Sequence, residues 1–480
     1  MAGAPHWDIL SREQAAQVHE RALHLLAHTG IVFQSDTVVR RFAEAGAEVD
    51  KDKQLVKLPT KLVEGLLASV PREFPLGAAD PSLDCTASTG ATLCRPIVGC
   101  SYVLDSQTGE RREPTSADAR DIAHLLDGLS TYSFGGTVAY PADEAPMSRD
   151  VYYLKLLLEN ARKHVIVSPY GAQNIAYMCE MAVAVAGSEQ AQRERPRFHV
   201  LTAPTSPLRF SETQTEMIVK ASELMIPNQM SSTPMAGATS PVTLAGQALL
   251  LHAENLAGIA LTQLIRPGCP VYYAARANSM DMRTGNSLWG AVEWALTGAA
   301  CLQIARGLGL ICDSFGCISD SKAMDEQAAI EKTMSATIIA LAGANIISGG
   351  GYLETINTTS LEQLVIDDEI QGMLYRVLQG VEVSEETLAE NLIDRVGPGG
   401  NYLGEEHTRR HYRREHYLPK ILDRDLWDVW QAKGGKDLVQ KARERAQSLL
   451  SAAQPVPLPE ETTRELERIL KAARTALVAV

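Results

Sequence analysis

No two cysteines in this chain stand in a CxxC spacing. The eight (Cys85, Cys94, Cys100, Cys179, Cys269, Cys301, Cys312 and Cys317) are scattered singly. That argues against zinc-ribbon and dithiol redox designs and fits reduced thiols in a cytosolic protein. Basic residues are in deficit too, with 45 Lys and Arg against 58 Asp and Glu, a net charge of -13. A broad nucleic-acid or anionic-membrane face needs the opposite sign, so neither partner is expected. Aromatics make up only 5% of the chain. The start, "MAGAPHWDILSREQAA", lacks a basic stretch followed by an apolar one, so no signal peptide is expected. The apolar window "QALLLHAENLAGIALTQL" is interrupted by His252, Glu254 and Asn255, which argues against a membrane span. No GxGxxG follows the first strand, and no GxxxxGK[ST] occurs anywhere, so dinucleotide and P-loop sites are unsupported.

What is present is a rhythm. The 480 residues are 45% hydrophobic, enough for a large core or two domains. Residues 1–128 read as capped amphipathic helices, such as Ser11 before "REQAAQVHERALHLLAHTG", with a small β segment over 73–110. From about 130 to 380, apolar runs alternate with helical patterns. The runs are "YSFGGTVAY", "HVIVSPY", "RFHVLTAP", "PNQMSSTP", "CPVYYAA", "LGLICDSFG" and "ANIISGG". Helices are expected near 148–161, 172–186, 211–224, 241–265, 286–307, 323–342 and 360–379. Such alternation implies a parallel sheet with helical crossovers, and its extent favours a (β/α)8 TIM-type barrel over 129–380. The eighth strand is open: it lies near 95–104, or the helix 116–128 belongs to the ring. Residues 381–480 read as a charged helical region packing on the barrel.

Barrel sites form at the strands' C-terminal ends. Those positions carry Gly135, Gly136 and Tyr140, with Phe134 just before them; Tyr170; Arg276; Phe315; and Gly349, Gly350, Gly351, Tyr352 and Glu354. Aromatics with a carboxylate suit a quaternary ammonium, at roughly 0.5–2 kcal/mol per ring face. Arg276 could hold a substrate carboxylate by a two-pronged hydrogen bond. Each residue also has a plainer reading. The glycines fit a turn that lets a helix pack, Tyr170 and Tyr352 fit wall packing, Arg276 fits an ion pair with Asp281, and Glu354 fits a helix cap. His407, His411 and Glu415, spaced four apart, would share a helix face and could bind zinc. Their order is not HExxH, and a charged helix bonded to barrel loops is the alternative. Cys312 and Cys317 form a weaker pair, with buried thiols the default.

Several long stretches carry a family likeness: "HERALHLLAHTGIVF", "CISDSKAMDEQAAIEK", "ATIIALAGANIISGGGYLE", "SLEQLVIDDEI" and "GGNYLGEEHTRRHYRREHYLP". Over nearly its whole length the chain resembles the trimethylamine methyltransferase superfamily. The resemblance implies a (β/α)8 barrel that presents a methylated amine to a separate corrinoid protein, whose cobalt takes the methyl group in its Co(I) state. Founding members use pyrrolysine. This sequence shows none, so it resembles the non-pyrrolysine branch, whose studied members are glycine betaine:corrinoid methyltransferases. The position matching pyrrolysine falls in Phe315–Ser319 or in the triple-glycine loop. On this reading Phe134, Tyr140, Tyr170, Arg276, Phe315, Tyr352, Glu354 and His407 bind substrate. Gly135, Gly136 and Gly349–Gly351 admit the corrinoid, no protein nucleophile acts, and this chain binds no cofactor tightly. Helical termini could pair subunits. Two rival readings are a zinc-dependent barrel methyltransferase or hydrolase, and a betaine-binding barrel without catalysis.

Overall fold

The computed structural model describes residues 6–453 and 456–477; the first five residues of the start quoted above lie outside it. Eight parallel strands form one sheet that curls until its edges meet. They are β1 (Leu93–Pro96), β2 (Gly135–Gly136), β3 (Val165–Val167), β4 (Phe198–Thr202), β5 (Asn228–Ser232), β6 (Val271–Ala275), β7 (Cys312–Phe315) and β8 (Ile346–Gly350). β8 pairs with β1, and a parallel bridge between Cys94 and Tyr132 joins β1 to the approach of β2. There the Ser133 amide donates to the Cys94 carbonyl at 2.8 Å, which closes the cylinder.

Eight helices surround it: α1 (Ser116–Gly128), α2 (Arg149–Asn160), α3 (Ala172–Ala186), α4 (Glu212–Glu223), α5 (Leu244–Ile265), α6 (Val292–Gly307), α7 (Glu326–Leu341) and α8 (Leu361–Gln379). Caps mark their starts. Thr115 and Ser211 form capping boxes with Asp118 and Gln214, and Asp325 and Ser360 accept from the third helical amide of α7 and α8. Both options for the missing unit hold at once, because β1 and α1 together are that unit. The barrel therefore begins at residue 93 rather than 129. β1 is short, and Arg95 interrupts its apolar pattern. α5 is the one described helix long and apolar enough to cross a membrane, and 83% of that window is buried within the protein.

Strand alternation sorts the side chains. Val165, Val167, Phe198 and Val200 pack outward in a cluster with α2 and α3 residues. Phe134, Ile166, Tyr272, Ile311 and Ile346 cluster instead with Phe74, Leu76 and Ala87. The last three belong to an antiparallel hairpin, Glu73–Leu76 with Cys85–Ser88, which plugs the N-terminal end of the barrel. Two small sheets stand at the opposite end. One joins Met235–Ala236, Asn278–Met280 and Ser287–Leu288; the other joins Tyr352–Leu353, Thr358–Thr359, Tyr102–Leu104 and Arg111–Arg112. The sequence pattern places a helix from 286, but 286–291 runs as a hairpin strand and turn. The reason is Asp320, whose carboxylate accepts from the Trp289 and Gly290 amides at 2.9 and 2.8 Å and holds them out of the helix.

Candidate active site

Four polar residues on four strands meet inside the cylinder, and because β1, β5 and β7 are not neighbours, the contacts among those three cross its interior. Arg95 of β1 donates through Nε to Asp313 of β7 at 3.2 Å and through Nη2 to Oε1 of Gln229 on β5 at 3.0 Å. Ser348 of β8 donates to Asp313 at 2.9 Å. All four are buried. Below them, toward the plug, the Tyr272 hydroxyl lies 3.0 Å from Gln229 and 2.8 Å from His199 Nε2. His199 Nδ1 lies 2.7 Å from His164 Nε2. His164 Nδ1 faces the Gly77 and Pro196 carbonyls, so that nitrogen carries the proton. Burial pulls His164 down to about 3 and His199 well below its usual value, so both rings are neutral.

Above the Arg95 layer, one residue past β6, lies Arg276. Its guanidinium contacts the Asp313 carboxylate at 2.5 Å as an ion pair, off hydrogen-bond angle, and both terminal nitrogens lack an aligned acceptor. It lies 3.9 Å over the ring of Phe315. Burial draws its pKa down to about 10, against the pull of Asp313, which leaves it cationic at neutral pH. Trp289 and Tyr352 meet Phe315 edge-on, at centroid distances of 5.3 and 5.9 Å. Among the described residues, the charged groups that the strands and this next residue turn inward are therefore Arg95, Arg276 and Asp313. Two cations stand against one carboxylate, and a net positive charge sits beneath an aromatic wall. Such an interior favours an anion and opposes a bare cation.

The loop after β8 is anchored rather than open. Glu354, Thr355 and Ile356 take φ values of 52°, 54° and 67°, three non-glycine residues in the left-handed region. Such backbone costs of order 1–3 kcal/mol per residue and persists where surroundings enforce it. Here Glu354 pairs with Arg111 at 2.6 Å, and the Thr355 hydroxyl donates to Asp320 at 3.1 Å. Asp320 thus ties the Trp289 loop to the Tyr352 loop across the mouth.

The sequence-derived residues separate accordingly. Arg276, Phe315 and Tyr352 come together at the mouth; Phe315, however, presents its ring face to Arg276. Phe134 lies inside the barrel but at the plugged end, edge-on to His164 and His199. Tyr140 faces the helix layer, where its hydroxyl donates to the Ser168 carbonyl at 2.5 Å and its ring packs on Tyr153. Tyr170, 5.5 Å from Tyr140, is exposed on the rim. Glu354 neutralises Arg111 and caps no helix. Asp281 pairs with Arg283, so it is not the partner of Arg276.

The glycines do not open the mouth. A Cβ at Gly349 would lie 2.6 Å from Ile318, at Gly350 2.3 Å from the Tyr132 hydroxyl, and at Gly351 2.7 Å from Leu364. Each absent side chain is replaced by a neighbour already in place, which is the packing role of a βα turn. Gly136 likewise accommodates Ile166 at 2.7 Å, and Gly135 faces Leu126 of α1.

His407 does not reach the mouth. Its helix, Glu406–Glu415, lies by the last turn of α8, where Arg376 donates to the Glu415 carbonyl at 2.7 Å and carboxylate at 3.2 Å. Arg376 stands fifteen residues after Leu361, about 22 Å along α8 from the helix start at the mouth. The His407 and His411 rings lie tilted against one another at 4.4 Å, both touch Glu386, and Glu415 turns to Arg376. Among the described residues, no three His, Cys, Asp or Glu side chains are grouped to hold a metal.

Arg95, Gln229, Asp313, Ser348 and Trp289 escaped the sequence reading. A signal existed for three of them: Arg95 in "LCRPIVG", Gln229 in "PNQMSSTP" and Asp313 in "LICDSFG" are polar residues within short apolar strands.

The trimethylamine methyltransferase family model (MTTB) matches residues 1–477. A trimethylamine methyltransferase, MttB, of Desulfitobacterium hafniense is 34% identical over 96% of this chain and 93% of its own length. A glycine betaine methyltransferase of the same species is 32% identical over 97% of each. The crystal structure of monomethylamine methyltransferase (MtmB) from Methanosarcina barkeri superposes with a TM-score of 0.52 over 92% of each chain, at 11% identity. That likeness supports the barrel fold alone.

Proposed function

The chain belongs to the trimethylamine methyltransferase family, and from that premise we propose that it demethylates a quaternary ammonium compound bearing a carboxylate. Glycine betaine or a close relative is the substrate, and a cognate corrinoid protein in the cytoplasm receives the methyl group. The observation that carries this reading is the interior charge: Arg95 and Arg276 against Asp313, with Arg276 lacking aligned acceptors. Trimethylamine or choline would bring a cation to a positive interior. A betaine brings a carboxylate for Arg276 and places its ammonium against Trp289 and Tyr352, whose rings attract it without hydrogen bonds.

What the corrinoid supplies is a cobalt nucleophile for the methyl carbon, held by the partner. Met147, Tyr170, Val242 and Met282 are exposed on the loops that follow β2, β3, β5 and β6, an apolar rim suited to a corrin face. Gly349–Gly351 supply no cradle, since their Cβ spaces are filled. This chain's own contribution is position. As the N–CH3 bond breaks, its electron pair stays on nitrogen and a neutral tertiary amine departs. No proton is needed and no protein nucleophile is required. Fixing the carboxylate on Arg276 sets the direction in which the methyl groups point, and orientation of this kind is worth several kcal/mol of barrier.

The test is a substrate panel with purified chain and Co(I) cobalamin, following the cobalt spectrum. Glycine betaine or another carboxylate-bearing betaine should methylate cobalt, and choline and trimethylamine should not. Equal use of choline would remove the carboxylate argument. Betaine binding with no transfer to any corrinoid would favour the non-catalytic reading.

A further inference from the structure

We propose that the cleft between the 102–112 hairpin, α1 and helix Leu438–Ser451 is a second small-molecule site, one that binds a zwitterion whose ammonium keeps an N–H. Helix Leu438–Ser451 packs against both α1 and α8. Where it meets the hairpin, a cavity of about 360 Å³ remains, a volume in the range of small-molecule sites. The strand Thr358–Thr359 pairs with Tyr352–Leu353 on one edge and with Tyr102–Val103 on the other. The cavity touches Val103 and Thr359 but not Tyr352, so it lies beyond that strand from the mouth aromatics.

Most charges around the cavity are already paired. Arg112 donates to both oxygens of Asp118, at 2.7 and 2.8 Å, and to Asp105 at 3.1 Å. Arg443 gives its Nε to the buried Glu362 at 3.0 Å, and Ser106 donates to the other oxygen of that carboxylate at 3.1 Å. Two lining groups are left over. Among the described residues, the Asp121 carboxylate on α1 has no hydrogen-bond or ion-pair partner, and the two terminal nitrogens of Arg443 have none either. Burial and the neighbouring Asp118 raise the Asp121 pKa, against the pull of His124 and Arg120. A cation placed against this carboxylate would relieve that cost.

The leftover pair sets the ligand. An ionised carboxylate only accepts, so Asp121 needs a donor, and a guanidinium edge suits a carboxylate. A small amino acid supplies both ends in one molecule. The walls between them are apolar, Leu104, Ile122, Ala446 and Leu450, and no aromatic ring lines the cavity. A quaternary ammonium has no N–H for Asp121 and finds no ring face here, so bare charge attraction is all that holds it. The two sites therefore sort ligands by one substituent: the mouth takes a fully methylated nitrogen, and this cavity takes one that keeps a hydrogen. The protonated amine that would leave glycine betaine falls in the second class, but the assignment rests on the cavity and not on that reaction.

The experiment is calorimetric titration of the full chain with N,N-dimethylglycine and with glycine betaine, which differ by one methyl group in place of the N–H. It is run on the native protein and on Arg276→Met, which silences the mouth. In Arg276→Met, N,N-dimethylglycine should bind at one site per chain, roughly tenfold or more tighter than glycine betaine, the margin of a charge-assisted hydrogen bond. Adding Asp121→Asn should erase that preference while leaving the melting temperature unchanged, since Asp121 holds no partner. Hydrogen exchange on the unmodified protein reads the place directly: N,N-dimethylglycine should protect amides of 102–112 and 443–450. Absence of binding in Arg276→Met would overturn the proposal, as would equal affinity for the two compounds or an unaltered preference in the Asp121→Asn protein. Protection confined to the mouth loops would also overturn it. Methyl transfer is read separately, so failure here leaves the proposed activity standing, and the reverse.

Discussion

Arg276 is fixed by two neighbours at once: Asp313 beside it and the Phe315 ring beneath it. A lysine would keep the charge but lose the planar fork and the stacking. Arg276→Lys is therefore expected to raise KM for glycine betaine by roughly 10- to 100-fold, the loss of a charge-assisted pair worth about 1.5–3 kcal/mol. The midpoint of urea unfolding should barely move, and steady-state kinetics with a melting curve checks both. Arg276→Met should leave no saturable use of betaine. Gly350 behaves differently, because its missing side chain is where Tyr132 sits. Gly350→Ala should cost about 1–3 kcal/mol of stability through overpacking, read by urea titration, rather than block transfer selectively. Asp150 gives a pH signature. It is buried, and burial raises it from 3.8 to about 6 although the Tyr170 amide and Asn174 donate to it. Between those values the folded state holds more protons than the unfolded one, so its contribution is lost as pH rises through the window. Relative to Asp150→Asn, the native protein should lose up to about 3 kcal/mol between pH 4 and 7. A flat difference across that range would show the carboxyl to be ionised throughout.

At the scale of elements, seven of the eight units were legible because each strand is an apolar run and each helix an amphipathic one. Their two periods, 2 and 3.6, survive whatever lies inside. β1 was ambiguous for a physical reason: Arg95, which looks foreign to a strand, is what the barrel needs opposite Asp313 and Gln229. The same logic hid the site. An inward-facing polar residue breaks the apolar run that marks the strand, and only the closed cylinder shows that three such breaks meet. The triple glycine misled in the opposite sense, since sequence reports a missing side chain but not which neighbour fills the space. Trp289 reads as helical in the sequence because nothing local announces that Asp320, thirty-one residues on, takes its amide. One inter-element link carries a further expectation. Lys332 of α7 and Asp367 of α8 are fully buried and paired at 2.9 Å. Lys332 also donates to the Cys317 carbonyl and Asp367 accepts the Gly351 amide, so the pair ties both mouth loops to the helix ring. Lys332→Met alone leaves a buried carboxylate and should cost about 3–5 kcal/mol, whereas Lys332→Met with Asp367→Leu should recover much of it. Urea titration of the three proteins tests this, and a double variant as weak as the single one would mean that the Gly351 contact, not the pair, matters.

The whole molecule is a cylinder closed at one end and furnished at the other, and the two ends are separable. The plug hairpin sets Phe74 against Tyr272 at 6.3 Å, with Ile166, Ile311 and Ile346 around them. Above Phe74 stand Tyr272 and His199, then the layer of Arg95, Gln229 and Asp313, and only then Arg276 with its aromatic neighbours. Close packing resists relaxation, so deleting Phe74 should leave a cavity. Phe74→Ala should then lower stability by about 3–5 kcal/mol. The hydrogen-bonded layers between would still hold Arg276 where it is, because their positions are fixed strand to strand and not by the plug. KM for betaine is therefore expected to stay within about twofold at temperatures where the variant remains folded, since twofold corresponds to only about 0.4 kcal/mol. Measuring unfolding and KM on the same preparation decides the point. A large rise in KM would mean that the plug and the mouth are coupled through the Tyr272–Gln229–Arg95 chain, and that the polar interior transmits strain along the barrel axis rather than insulating one end from the other.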